Sequence, residues 1–191
     1  MTITRGLRLV AAGLLTMLMF SSCSNGTGGN PTPTPSSPSP SASATPTPTT
    51  EPSPTPSTAN EQAAVDAVVL YLHVLDKLGS DPESDLNELN TVATGQALVQ
   101  WQHDLMQYRI EGWRKVGEQV PAFVGSTPGS SASQWLVAMC IDISEVDLRD
   151  AAGVSVKNPD SPPRVLTEFQ VDHQITNDTW YVATDEVKAT C

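Results

Sequence analysis

The chain has 191 residues, with 21 acidic and 10 basic side chains, three cysteines and a net charge of −11. An acid excess of this size repels phosphate backbones, so nucleic acid is excluded as an expected partner. Ten of the 16 prolines crowd into residues 31–56 and most of the charge follows residue 60, which divides the chain into a leader, a linker and one domain.

Residues 1–22 carry Arg5 and Arg8, then an apolar run from Leu9 to Phe20, then Ser21 and Ser22. Basic start, short apolar middle and small residues are the order of a secretory signal, and the run is too short to span a bilayer comfortably. Phe20-Ser21-Ser22-Cys23 resembles the lipobox of bacterial lipoproteins, with Phe20 where that pattern usually has Leu. The resemblance implies a lipoprotein signal peptide and acyl chains on Cys23. It also implies a protein anchored on the outer face of the cell membrane. Each buried methylene would add ~0.8 kcal/mol to that anchor. The alternative is an ordinary signal cut that releases the protein with a spare thiol.

Residues 23–59 follow as Cys23 and a linker of Ser, Thr, Pro, Gly, Asn and Ala, with Glu51 its one charge. Nothing there builds a core, so a disordered tether is expected. Fully extended it would reach about 110 Å. Residues 60–191 then form a single domain holding 20 acidic and 8 basic residues, near −12. With Cys23 given to lipid, Cys140 and Cys191 remain as an even pair in an oxidising compartment, and a disulfide is expected between them. Two free thiols, or a buried Cys140, are the alternatives.

Residues 61–78 read as a helix, with Ala64, Val68, Tyr71, Leu72, Leu75 and Leu78 on one stripe, Asn60 as its cap and Gly79 as its stop. A short helix is predicted near Leu86–Val92, and a long one from Thr94 to Ile110 with Trp101, Leu105 and Tyr108 on one side. Val120–Val124 reads as a strand, 126–131 as a turn, and Trp135 to Ile143 as a long strand. The apolar phase slips after Ser144, which suggests a bulge before Val146 and Leu148. Residues 158–163 are a loop. Val165–Ile175 and Thr179–Lys188 are the last strands, joined by a turn at Asn177-Asp178.

Helices followed by an antiparallel meander make an α+β plan, N-terminal helices packed on a curved sheet. This order, with Trp180-Tyr181-Val182 in the last strand and a terminal Cys191, resembles the nuclear-transport-factor-2-like or polyketide-cyclase-like cone and the actinobacterial secreted domains of that class. A cystatin-like sheet is the alternative. The resemblance implies an inner pocket and a tendency to homodimerise through the open sheet face.

His73 and His103 fall off the apolar stripes and read as surface residues. His173 shares strand parity with Phe169, Val171 and Ile175, which turns it to the inner face, where a histidine could serve as a general base. His173, Phe169, Tyr71, Trp101 and Tyr108 are therefore the candidate pocket residues, the aromatic ones being core residues first. Asp142 and Asp172 fall on the opposite face. No phosphate loop, HExxH, GxSxG or CxxC motif is present. The stretch 81–85 lacks the glycine and closing glutamate of a calcium loop. No cofactor or metal is expected.

The sequence therefore supports a non-catalytic binding module, held outside the membrane, that meets an envelope protein or a small ligand. A carrier of an apolar ligand in the cone is the alternative, and a cyclase- or isomerase-type enzyme using His173 is the third reading.

Overall fold

A computed structural model describes residues 54–191. The signal segment, Cys23 and the linker as far as residue 53 lie outside the described residues. Helix α1 spans Ala59–Ser80, a single 3₁₀ stretch spans Leu86–Thr91, and helix α2 spans Gly95–Glu111. Six strands follow: β1 Arg114–Val116, β2 Val120–Pro128, β3 Gln134–Asp142, β4 Asp147–Arg149, β5 Arg164–Gln174 and β6 Thr179–Thr190. The main sheet is antiparallel in the order β2-β3-β5-β6, and β1 pairs with β4 in a separate two-stranded ribbon.

The start of α1 is set by a residue other than Asn60. Thr58 is the cap, its hydroxyl accepting from the Glu61 backbone N–H at 3.1 Å. Glu61 reaches back in turn, its Oε2 accepting from the backbone N–H and the hydroxyl of Ser57 at 2.6 Å each. This is a variant of the Thr-x-x-Glu box in which the return bonds go to Ser57, one residue before the cap. Oε1 of Glu61 also accepts from the Ser126 hydroxyl on β2, so one side chain caps the helix and docks it on the sheet. At the other end α1 runs through Gly79, which is not in the left-handed region. That glycine instead gives room to Lys115, whose Cβ would lie 3.1 Å from any added Cβ. The left-handed stop occurs at the end of α2, where Gly112 has φ 68°.

The alternation of β3 sorts the sheet into two faces. Val137, Met139 and Ile141 are buried on the inner face, against the buried α1 stripe of Ala64, Val68, Tyr71, Leu72, Leu75 and Leu78. Phe169 and Val171 of β5 and Val182 of β6 join them, and the Tyr71 and Phe169 rings meet edge to face at 6.2 Å. Close packing of this kind removes apolar surface from water, the main favourable term in folding.

The expected turn at 126–131 is shorter, because β2 continues to Pro128 around a bulge at Val124. The phase slip after Ser144 is a change of sheet rather than a bulge: β3 ends at Asp142, and residues 147–149 pair with β1. Two further irregularities lie in β6, where Ala183 and Lys188 are the extra residues opposite β5. Each inserts one residue and reverses which face the following side chains occupy.

Cys140 and Cys191 form the expected disulfide, with Cα atoms 6.0 Å apart. Cys140 lies on β3 and the C-terminal strand is two places away, a separation of about 9.5 Å between strand axes. The last residue therefore folds back over β5 to reach it. A loop of 51 residues closed in this way restricts the unfolded chain by about 4 kcal/mol in the chain-entropy account.

Hydrogen bonds to Glu61, those from Ser126 and Ser57 foremost, lower its pKa to about 2. The folded value lies below the unfolded value of about 4.3, so the stabilisation is present above pH 4.3 and is lost as the pH falls towards 2. Urea unfolding of Glu61→Gln beside the wild type should show a gap at pH 6 that shrinks at pH 3. An equal gap at both values would contradict the assignment.

Candidate functional site

The inner face of the sheet and the two helices do not close completely. A cavity of about 220 Å³ lies between them, walled by Leu72 and Leu75 of α1, Gln100 and Trp101 of α2, and Ile141, Val165, Phe169, Asp185 and Val187 of the sheet. A neighbouring cavity of about 330 Å³ shares Leu75, Trp101, Gln119 and Ile143 with it. That second space continues to Leu105, Tyr108, Lys115, Leu148 and Lys157. Together they form a cleft that is apolar on most sides. Gln100 and Val187 at the rim are exposed, so the cleft opens to solvent between α2 and β6.

Asp185 is the one carboxylate on the wall of the inner cavity. Its Oδ2 accepts from the Tyr71 hydroxyl at 2.6 Å and from the Trp101 indole N–H at 2.7 Å. One donor comes from α1 and the other from α2, so a single oxygen of β6 ties both helices to the sheet. Oδ1 is buried and has no hydrogen-bond partner among the described residues. Burial and the adjoining carboxylate push the Tyr71 phenol far above its ordinary pKa, so it stays a donor throughout the physiological range.

A second polar anchor sets the cleft's floor. Asp76 on α1 pairs with Lys115, and it accepts from the Gln119 backbone and side-chain N–H groups at 3.0 Å each. Both carboxylate oxygens are occupied, as a carboxylate at this depth requires. Lys157 donates to the Ile143 and Val146 carbonyls at 2.9 and 2.7 Å, holding the segment after β3 over the larger cavity.

The structure brings three of the five candidate pocket residues to the wall of this cleft and a fourth, Tyr71, behind it. Phe169 and Trp101 line the inner cavity, Trp101 and Tyr108 line the outer one, and Tyr71 holds Asp185 from behind. His173 lies elsewhere. It sits at the end of β5, stacked on Trp180 with ring centroids 4.6 Å apart, and its Nε2 is 2.9 Å from Asp178 Oδ1. The inner face extends beyond the helices at this end, so correct parity does not deliver His173 to the cleft. Ile175, expected on the same face, lies past the strand and is 80% exposed. Asp172 on the opposite face accepts from Gln134 at 2.8 Å, and Asp142 accepts from Ser144.

Asp185 escapes strict alternation from Trp180 and Val182, which would send it outward. The extra residue at Ala183 turns it inward, opposite Phe169. The signal that could have revealed it is the apolar phase of β6, which runs through even positions at Trp180 and Val182 and an odd one at Val187.

Among the described residues no helix is long and apolar enough to cross a membrane, and no group of three or more metal-ligating side chains is found. No family model matches the chain, and no curated protein matches it. Among solved structures, the intermembrane space region of the chloroplast protein ARC6 is similar, with a TM-score of 0.52 and 14% identity over 68% of this chain and 96% of that one. A de novo β-sheet design matches 67% of this chain and 91% of its own at 13% identity, with a TM-score of 0.29. The ARC6 likeness concerns the fold alone.

Tyr71→Phe should lower stability by about 1–3 kcal/mol, since it strips one of the two donors from Oδ2 of a carboxylate whose other oxygen has none. Tyr108→Phe is the control, because the Tyr108 hydroxyl makes no hydrogen bond among the described residues. Chemical denaturation of both variants checks this, and equal losses would refute the role given to the Tyr71 hydroxyl.

Proposed function

We propose that the chain is a membrane-tethered extracytoplasmic lipoprotein whose domain is a non-catalytic binding module for a small, mainly apolar ligand. The observation that carries this reading is the cleft between α1, α2 and the inner sheet face, apolar on most sides and open at Gln100 and Val187. Helices laid on the inner face of a four-stranded antiparallel sheet support a cone of the nuclear-transport-factor-2-like kind, with this cleft as its pocket. A ligand of six carbons placed there would gain about 5 kcal/mol gross from apolar burial, before the cost of association.

Binding is favoured over catalysis by what surrounds the space. His173, the expected general base, is outside it, and Asp185 has one oxygen committed to Tyr71 and Trp101. The tether reading rests on the signal segment and Cys23. With a linker of this composition, the domain would stand tens of ångströms from the bilayer.

A second reading is favoured by one specific feature. Val99, Met106 and Ile110 are exposed along one side of α2, at positions separated by seven and four residues. Such a stripe suits contact with an envelope protein.

Native mass spectrometry of the full chain, extracted from membranes, tests the proposal. Extra mass that is lost on denaturation supports a filled cleft, whereas a bare chain that takes up no small apolar molecule rejects it. Cys23→Ala should move the protein from the membrane to the soluble fraction, and its retention would reject the lipid anchor.

A further inference from the structure

We infer that the ligand of this cleft carries a protonated amine, which Asp185 binds. The inference rests on the reading of the cleft as a binding site and adds the chemistry of its occupant. Asp185 is the one charged side chain on the wall of a cavity whose other polar liners, Gln100, Gln119 and Thr167, are neutral, and among the described residues it forms no ion pair with a lysine, arginine or histidine. Its Oδ2 has two neutral donors, while its buried Oδ1 has none. A charge withdrawn from water is costly unless it is paired and hydrogen-bonded, and neutral donors on one oxygen answer only part of that demand.

The neighbouring charged groups are already engaged. Lys115 is held by Asp76, and Lys157 donates to two backbone carbonyls, so neither turns to Asp185. Gln96 meets the Asp185 backbone N–H through its side-chain oxygen at 3.3 Å and offers no charge. The cation that completes the site would therefore come from outside. The excess of acidic over basic residues in the domain draws cations towards it.

The geometry also selects the kind of cation. A guanidinium pairs best with two carboxylate oxygens side by side, and Oδ2 is occupied by Tyr71 and Trp101. A bare metal ion needs several oxygen or nitrogen ligands, with more than one anionic as a rule, and besides this carboxylate the walls offer only the neutral side chains of Gln100, Gln119 and Thr167. One unpartnered carboxylate oxygen beside a largely apolar cavity of about 220 Å³ suits a single ammonium head on a short hydrocarbon body.

The test uses n-hexylamine and n-hexanol as a matched pair, titrated into the full chain in lipid nanodiscs and followed by tryptophan emission against empty nanodiscs. The expected result is that hexylamine binds the wild type about tenfold more tightly than hexanol, as a charge-assisted hydrogen bond would give. That preference should fall to within about twofold in Asp185→Asn, which keeps the oxygen and loses the charge. Equal binding of the two probes to the wild type would overturn the amine inference and leave the cleft reading standing. A tenfold preference that survives Asp185→Asn would overturn it as well. Failure of both probes to bind would remove the cleft reading, and this inference with it. Should Asp185→Asn not fold, the Trp101 indole proton of the wild type decides. Hexylamine should shift its resonance and hexanol should not, and an unmoved resonance would overturn the inference.

Discussion

The side chain of Asp185 is the constraint on which the rest of this domain depends. It lies on β6, yet its Oδ2 receives the Tyr71 hydroxyl from α1 and the Trp101 indole from α2. Apolar packing alone would let the helices slide over the sheet, because the hydrophobic effect has no direction. Two charge-assisted hydrogen bonds to one oxygen fix the height and rotation of both helices at once. The cost is a polar group placed within the fold with one oxygen unpartnered, and that unpartnered oxygen is what the proposed site is built on.

The cleft follows from the same geometry. The Asp185 carboxylate and the bulky Trp101 hold α2 away from the sheet along the line where Leu75, Ile143 and Gln119 wall both cavities. The Asp76–Lys115 pair props the opposite side, anchoring the start of the β-meander to α1. The disulfide secures the far end of β6, the strand that presents Asp185, by tying Cys191 across β5 to Cys140. Strand, helices and terminus are thus braced around a space rather than collapsed into it.

Much of this was legible in the residues. The α1 stripe from Ala64 to Leu78 needed only a period of 3.6, and the alternation of Trp135, Val137, Met139 and Ile141 needed only a period of two. The Cys140–Cys191 pairing followed from parity and compartment. What the sequence concealed were features that break a period. Thr58 outranked Asn60 as the cap because Glu61 could donate its N–H to Thr58 and hold Ser57 beside it, a relation between residues rather than a property of one. The β1–β4 ribbon is three residues a side, too short for any alternation to register. Asp185 was hidden by the extra residue at Ala183, which exchanged the faces of β6 just before it. His173 had the right parity and the wrong position along the strand, a distinction that only the placement of the helices could make.

The measurement that tests this account most directly is a double-mutant cycle between Tyr71 and Asp185, with stability read by chemical denaturation of wild type, Tyr71→Phe, Asp185→Asn and the double variant. If the carboxylate ties α1 to β6, the two changes are strongly non-additive, with a coupling of about 1 kcal/mol or more. Additive losses, with a coupling near zero, would mean that packing alone positions the helices, and the central claim would fail.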